Sequence, residues 1–451
     1  MLTSLSAENF KSWESIDHMR LAPLTGLFGA NSSGKTSIIQ LLLLLKQTVA
    51  STDKAQVFSL GGDLVSLGSF RDIAFAHDVE RPIKVGLDWT ESDALEIQDP
   101  EKGRTDLLFS GSNLGFSTVV TGSGTGRLSV EEFNYRLGDT QFKMSRTRRQ
   151  EYTLSTNSEH FRFIRTVGRK WPLPAPLKCY GFPDQVRGYF QNAGFVSELE
   201  LAFEQLFGRT YYLGPLRVYP EREYTWAGSM PEDVGTRGER VVDALLASRG
   251  RGRTNSRGYH KRRMTLEAHV AVWLQELGLI DSFEVEQIRD DSSLYRVNVR
   301  RSKGSTPVLI TDVGFGVSQI LPVLTLCFFV PAGSIVILEQ PEIHLHPSVQ
   351  AGLADVLIEA ARIRKIQIIV ESHSEHLLNR LQRRVAEDAI SNDELALYFC
   401  EMAGGRSSLH ELDVNVLGEI TNWPKDFFGD PFGEVAARTI AAQRRRREER
   451  G

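Results

Sequence analysis

The chain has 451 residues, more than one ordinary core needs and enough for two or three subdomains. Hydrophobic residues make up 41% and charged residues 24%, a globular composition, and a net charge of −4 excludes a polycation that binds nucleic acid over its whole surface. Cys179, Cys327 and Cys400 stand far apart, which excludes a disulfide framework or zinc spacing and fits a reducing compartment.

In chain order, residues 1–50 read as strand, return strand, phosphate loop and helix. The loop is Gly29-Ala30-Asn31-Ser32-Ser33-Gly34-Lys35-Thr36, the pattern G-x-x-x-x-G-K-[ST], between an apolar stretch and a helical run that begins at Ser37. Its glycines let backbone N–H groups face phosphate oxygens at a helix N-terminus. Lys35 is expected on the β/γ-phosphates of ATP and the Thr36 hydroxyl on Mg²⁺. The apolar run Ile38 to Leu45 is bracketed by Lys35 and Lys46, about half the length a bilayer demands. Glu8 and Lys11 interrupt any secretory signal pattern, so a cytoplasmic protein without membrane contact is expected.

From 81 to 170, short alternating runs separated by Gly, Asn, Ser and Asp turns predict an antiparallel β subdomain. Residues 171–303 mix proline-rich loop, helices near 186–207, 238–247 and 264–279, and a hairpin over 283–302, and are expected to form an inserted α+β arm. From 304 to 430 strands and helices alternate: "PVLITD", a helix over 316–329, "SIVILE", a helix over 347–363, "IQIIVES", a helix over 374–386 and "LALYFCE". That order predicts an α/β fold with a mostly parallel sheet covered on both faces. Residues 1–80 and 304–430 then form the two halves of a split nucleotide-binding head, and 431–451 a charged helical tail.

The second half carries candidate chemistry. Glu339 ends an apolar strand, where a carboxylate can orient Mg²⁺. Gly314, Gly316 and Ser318 open a helix whose free N–H groups suit phosphate. His373 follows the next strand and suits a γ-phosphate contact. His344 and His346 with Glu342, and the group Glu371, His373, Glu375 and His376, resemble metal clusters, although loop packing is the commoner use of such residues. Basic stretches at 143–149 and 249–263 are either solvated loops or nucleic-acid contacts. Arg217 and Arg222 are nucleotide or partner contacts, or surface ion pairs.

Together these motifs resemble the ABC-type ATPase superfamily, in the branch of RecF, structural-maintenance-of-chromosomes (SMC) proteins and OLD nucleases. "ENFKSW" (8–13) resembles the opening strand, "GANSSGKTS" (29–37) Walker A, "DVGFGVSQ" (312–319) the signature position, "LEQPEIHLHP" (338–347) Walker B with the D-loop, and "ESHSEHLLNRL" (371–381) the switch histidine. "LGPLRVYPEREY" (213–224) and "NWPKDFF" (422–428) are similar to segments of stand-alone prokaryotic AAA-type ATPases of anti-phage defence, of the Septu or PARIS kind. The resemblance implies a homodimer or higher homo-oligomer with ATP sandwiched at the interface, the 314–318 segment of one subunit facing the other's P-loop. It also implies control of a separate effector protein, expected to be a nuclease because only a short tail follows residue 430, or a RecF-like role on DNA.

Three departures stand out. The signature is not LSGGQ. No glutamine in a Q-loop setting follows the P-loop, where "LVSLGSFRDIAF" (64–75) stands with Arg71 and Asp72. Gln340 occupies the catalytic-glutamate position. An amide orients water but takes no proton, and general-base help is worth about 10²–10⁴-fold, so slow hydrolysis is expected unless Glu342 or Glu371 substitutes.

Overall fold

Two sheets of different character organise the chain, and the phosphate loop sits where they meet. The computed structural model describes residues 1–98, 107–122, 126–168, 171–252, 254–258, 261–424 and five positions between 438 and 445. Most of the 431–451 tail and most of "NWPKDFF" therefore lie outside the described residues.

Strands β1 (Leu2–Phe10) and β2 (Trp13–Arg20) form a hairpin, β3 (Leu24–Gly29) leads into the P-loop, and α1 (Lys35–Ala50) leaves it. A one-turn helix, α2 (Phe70–Ile73), precedes β4 (Ile83–Gln98), β5 (Leu107–Gly122), β6 (Leu128–Leu137), β7 (Thr140–Arg146) and β8 (Tyr152–Thr156). These make an antiparallel sheet ordered β2-β1-β4-β5-β6-β7-β8. The boundary expected at residue 80 thus falls inside one sheet, because β1 pairs with β4 in the register Leu5↔Leu87 and Ala7↔Val85. Helices α3 (Gln185–Tyr189) and α4 (Val196–Gly208) lead to β9 (Thr210–Leu213).

The chain continues through β10 (Tyr224–Thr225), α5 (Val241–Gly250), β11 (Thr254–Asn255), β12 (Met264–Thr265), α6 (Leu266–Glu276) and the hairpin β13 (Ser282–Gln287) with β14 (Leu294–Arg300). Residues 171–303 do not stand out as a single arm. Phe203 and Phe207 of α4 share a core with the antiparallel sheet, whereas Leu245 of α5 and Trp273 of α6 pack on the opposite side of the molecule.

After β15 (Val308–Leu309) come α7 (Phe315–Phe329), β16 (Ile335–Glu339), α8 (Pro347–Ile363), β17 (Gln367–Glu371), α9 (Glu375–Ala386), β18 (Leu395–Ala403) and β19 (Arg406–Glu411). The core sheet runs β19-β18-β3-β17-β16-β9. All its neighbours are parallel except β18 and β19. "PVLITD" corrects the sequence reading: it contributes two extended residues that pair with β14, Asn298↔Leu309, and no core strand. Pro307 has no N–H for a central ladder, and Ile310–Asp312 curls into a 3₁₀ turn. The edge beside β16 belongs to β9 instead.

Strand alternation decides the layers. Ile335, Ile337, Ile369, Ala396 and Tyr398 face α1 and the antiparallel sheet, while Val336, Leu338, Ile368, Val370 and Leu397 face α5 to α9. Covered on both sides, the core strands read as nearly continuous apolar runs. Among the described residues, no helix is long and apolar enough to cross a membrane.

Candidate nucleotide site

The parallel strands end in a row along one edge of the core sheet. From the middle outward these ends are β3 with the P-loop, β17 with Glu371, β16 with Glu339, and β9 with the loop that carries Arg217. Glu339 and Glu371 stand opposite each other in the β16/β17 register. A row of strand carboxyl ends at the crevice of an open α/β sheet is where ligands bind in such folds.

The P-loop backbone is shaped by positions that few residues tolerate. Gly29 has φ +135° and Gly34 φ +97°. A Cβ at Gly29 would come 2.2 Å from the Cys400 carbonyl oxygen, and one at Gly34 2.4 Å from the Ser407 hydroxyl. Ser32, at φ +60°, completes the curl. Trp13 Nε1 donates to the Gly34 carbonyl at 3.0 Å, so the β1/β2 hairpin braces the loop. Lys35 folds back on it, donating to the carbonyls of Gly29 at 3.1 Å and Ala30 at 2.7 Å and to Ser33 Oγ at 3.3 Å. Burial lowers the Lys35 pKa, and Glu371 opposes that shift.

A cavity of about 340 Å³ opens over this loop. It is lined by Asn31 to Ser37, by Gln340, Glu371 and His373, and by Lys11 and Ser12 from the β1/β2 turn. Thr36 Oγ1 donates to the Glu371 carboxylate, with oxygens at 3.0 and 3.2 Å. The Gln340 amide N–H donates to the Glu371 carbonyl at 2.9 Å. Burial raises the Glu371 carboxyl pKa, opposed by Lys35, Thr36 and Gln340. Burial and Lys35 together hold His373 below its ordinary value, which favours the neutral imidazole.

Glu339 does not line the cavity. It is buried beside the Tyr212 hydroxyl, and burial together with Glu371 pushes its carboxyl up to about 7. Two carboxyls at paired positions of adjacent strands resist joint ionisation. The carboxylate that meets Thr36 is therefore Glu371. Both glutamates follow apolar runs in the sequence, but that they pair, and which one lies next to the P-loop strand, depends on strand order. Lys11 and Ser12 belong to the "ENFKSW" stretch, but their place at the cavity, like that of Tyr212 beside Glu339, emerges only from the structure.

Gly314, Gly316 and Ser318 do not border this cavity. Gly314 caps the start of α7, and Ser318 Oγ donates to the Phe315 carbonyl at 2.8 Å. Arg71 and Asp72 do not border it either; Asp72 receives the Ser69 amide and hydroxyl, each at 2.7 Å, as a helix cap. The histidine groups do not assemble a metal centre: His346 caps α8, His344 lies 5.3 Å from the Phe315 ring, and no cluster of metal-ligating side chains occurs among the described residues. Arg222 makes an exposed ion pair with Asp312 at 3.1 Å.

The residues present fit a magnesium triphosphate. A curled loop of N–H groups, a buried ammonium and a hydroxyl beside a carboxylate match the hard-oxygen demands of that ligand. Among the described residues, no side chain lining the cavity offers a base an aromatic face other than the His373 ring.

Several cations of the basic stretches are engaged within the chain, while Arg148, Arg149, Arg251, Lys261 and Arg262 are exposed. Arg257 binds Glu359 at 3.0 Å and Glu276 at 2.5 Å, Arg263 donates to Thr254 Oγ1 at 2.9 Å, and Arg249 pairs with Glu267. Lys143 and Arg146 pair with Glu132 and Glu131 at 2.5 and 2.8 Å. The larger groove near them, about 930 Å³ between α6, α8 and α9, is similarly neutralised: Arg380 and Arg384 share Asp355, at 3.0 and 2.6 Å.

Comparison with known proteins adds the following. Residues 253–379 match the family described as "AAA domain, putative AbiEii toxin, Type IV TA system", and residues 390–437 match a protein family of unknown function, DUF3696. No curated protein sequence matches the chain. Among solved structures, an SMC head bound to the C-winged helix domain of ScpA aligns at 12% identity and TM-score 0.45, covering 92% of this chain and 98% of that one. The SMC head domain from Thermotoga maritima aligns at 12% identity and TM-score 0.39, covering 92% and 99%. An SMC head from Pyrococcus furiosus, with an extended coiled coil and bound to the C-terminal domain of ScpA, aligns at 11% identity and TM-score 0.43, covering 91% and 96%. The segment similar to an AAA domain is the one that carries Glu339, Gln340, Glu371 and His373.

Proposed function

We propose that the chain binds ATP with Mg²⁺ at the P-loop cavity, hydrolyses it slowly, and uses the nucleotide state as a switch. The observation that carries this reading is the Thr36–Glu371 contact over a P-loop whose Lys35 is buried at the cavity floor. Mg²⁺, when bound, would offset charge on the phosphate oxygens. The loop N–H groups and Lys35 hold the triphosphate. Thr36 and Glu371 orient the cation, Glu339 stands behind them beside Tyr212, and His373 stands at the cavity wall as a neutral hydrogen-bonding group.

Gln340 positions water without removing its proton, which sets the slow rate. Positioning and electrostatics supply most of phosphoryl-transfer catalysis, so turnover persists. In the sandwich that the family resemblance implies, the 314–318 segment would act on a second copy's nucleotide. That arrangement is supported by the segment's not lining its own chain's cavity and by the exposed neighbours Leu216 and Tyr219, 70% and 75% accessible. The output of the switch, on this reading, is a partner effector of the nuclease kind in phage defence, acting in the cytoplasm. The RecF-like alternative needs free cations for DNA; Arg249 and Arg257 are paired with carboxylates within the chain, so it would rest on the exposed Arg251, Lys261 and Arg262.

The test is ATP binding and turnover by the full chain and three variants. Lys35→Ala is expected to abolish binding. Glu371→Gln should lower turnover by about 10²-fold or more while nucleotide still binds. Gln340→Glu should raise turnover; an unchanged or lower rate defeats the slow-switch reading.

A further inference from the structure

Two buried groups that the nucleotide cavity does not use converge beside it. Arg217, in the loop after β9, is 6% exposed. Its Nε and Nη1 have no hydrogen-bond partner among the described residues. Glu342, also 6% exposed, follows β16. Its Oε1 accepts the His373 amide at 2.7 Å, and its carboxyl lies near the Ser372 hydroxyl, but Oε2 has no hydrogen-bond partner among the described residues. Arg217 lies within the field of Tyr212, Glu339 and Glu342. An unpaired buried donor and an unpaired buried acceptor are each unfavourable, and a charge-assisted bond between them would relieve both.

The loop that carries Glu342 also holds two residues in the left-handed region, Gln340 at φ +42° and His344 at φ +62°. Non-glycine residues held there are strained, and strain of this kind is found in segments that switch. The loop that carries Arg217 presents Leu216 and Tyr219 to solvent, with the Tyr219 ring 5.2 Å from that of Phe315 at the start of α7.

We propose that Arg217 and Glu342 are the two halves of a latch that closes when a triphosphate fills the P-loop cavity, tying the His373 wall to the exposed Leu216–Tyr219–Phe315 face. The proposal rests on the nucleotide-binding reading above. Phosphate contact at His373 would shift its amide and the Glu342 carboxylate bonded to it, and Glu342 Oε2 would then meet the guanidinium. Arg217 is a positioning residue here, because it acts through Glu342.

The experiment is a double-mutant cycle on the full chain, with Arg217→Met, Glu342→Gln and the double variant. Affinity for a slowly hydrolysed, fluorescent ATP analogue with Mg²⁺ is measured, and thermal unfolding without nucleotide is followed in parallel. Each single variant is expected to bind about tenfold more weakly, and the double no more weakly than either. Arg217→Lys, which keeps the charge on a slimmer side chain and guards against misfolding, should lose less and remain non-additive with Glu342→Gln. Multiplying losses, about a hundredfold in the double, overturn the latch. So does equal coupling in the nucleotide-free melts, which marks a static ion pair, and so does non-additivity with Glu339→Gln in place of Glu342→Gln. If the unaltered chain binds no Mg-ATP, the latch falls together with the nucleotide reading. If it binds and Lys35→Ala does not, an additive cycle removes the latch alone.

Discussion

At the scale of single residues, the site depends on atoms that have no room to move. Gly34 is the clearest case: its φ of +97° and the Ser407 and Ser12 hydroxyls, 2.4 and 2.8 Å from where a Cβ would stand, forbid a side chain. Gly34→Ala should weaken nucleotide binding at least tenfold and cost about 1–2 kcal/mol of stability, the usual penalty for an L-residue in the left-handed region. A nucleotide titration beside a urea melt checks both, and a variant that binds normally would mean the loop is softer than its contacts indicate. Most of the site's residue types were legible as motifs, since G-x-x-x-x-G-K-[ST] carries its own geometry. Glu371 was legible only as one candidate among several acids, because its contact with Thr36 joins positions 335 residues apart in sequence.

At the scale of elements, α4 carries a carboxyl whose environment makes a sharper statement than its sequence position. Glu200 accepts the Phe182 amide and binds Arg187 at 3.2 Å, yet burial pushes its carboxyl from 4.5 up to about 7. The native state therefore holds a proton between those two values that the unfolded chain releases. This group's contribution to stability is present in full below pH 4.5 and is lost as pH rises through about 7. The loss approaches about 3 kcal/mol, taking about 1.4 kcal/mol per pH unit across the window. Glu200→Gln keeps an acceptor for the Phe182 amide and removes the titration. Urea unfolding at pH 5 to 8 should show the variant gaining on the native chain as pH rises, by about 1–3 kcal/mol at pH 8. A difference that stays flat with pH would show that the carboxyl is ionised throughout. The helices over 347–363 and 316–329 are readable from the alternation of strands and helices, whereas the fate of "PVLITD" is not. Its composition suits a strand, and only the β14 edge and Pro307 decide that it stops at two residues.

At the scale of the whole molecule, the nucleotide edge of the core sheet adjoins an exposed apolar face made of Leu216, Tyr219 and Phe315. Large side chains left in solvent beside a ligand site are the usual mark of an interaction surface. Tyr219→Asp is expected to reduce nucleotide-dependent self-association by tenfold or more while the affinity of the lone chain for Mg-ATP stays within about threefold, since one buried aromatic anchor commonly contributes about 2 kcal/mol or more. Sedimentation with and without the nucleotide analogue separates the two effects, and association that is unchanged, or independent of nucleotide, would place the interface elsewhere. The ion-paired state of Arg249 and Arg257 makes a companion expectation at this scale: DNA affinity should not change when those two are neutralised together, as gel-shift titrations at two salt concentrations would reveal.

The sequence by itself determined the P-loop, the order of strands and helices from residue 316 onward, and the parallel character of the core, because each rests on local chemistry: backbone freedom at glycine, capping, and the period of apolar residues. Only the tertiary structure decided that β1 and β2 join β4 in one sheet, that β17 separates the P-loop strand from β16, and that Glu371 rather than Glu339 reaches Thr36. The same holds for the loop from Gly214 to Tyr224, which places Arg217 beside two carboxyls more than a hundred residues away in the chain. Strand order and side-chain meeting are properties of long-range burial, in which one apolar strand can pair with several others, and the choice among them is settled by which arrangement covers both faces of the sheet at once.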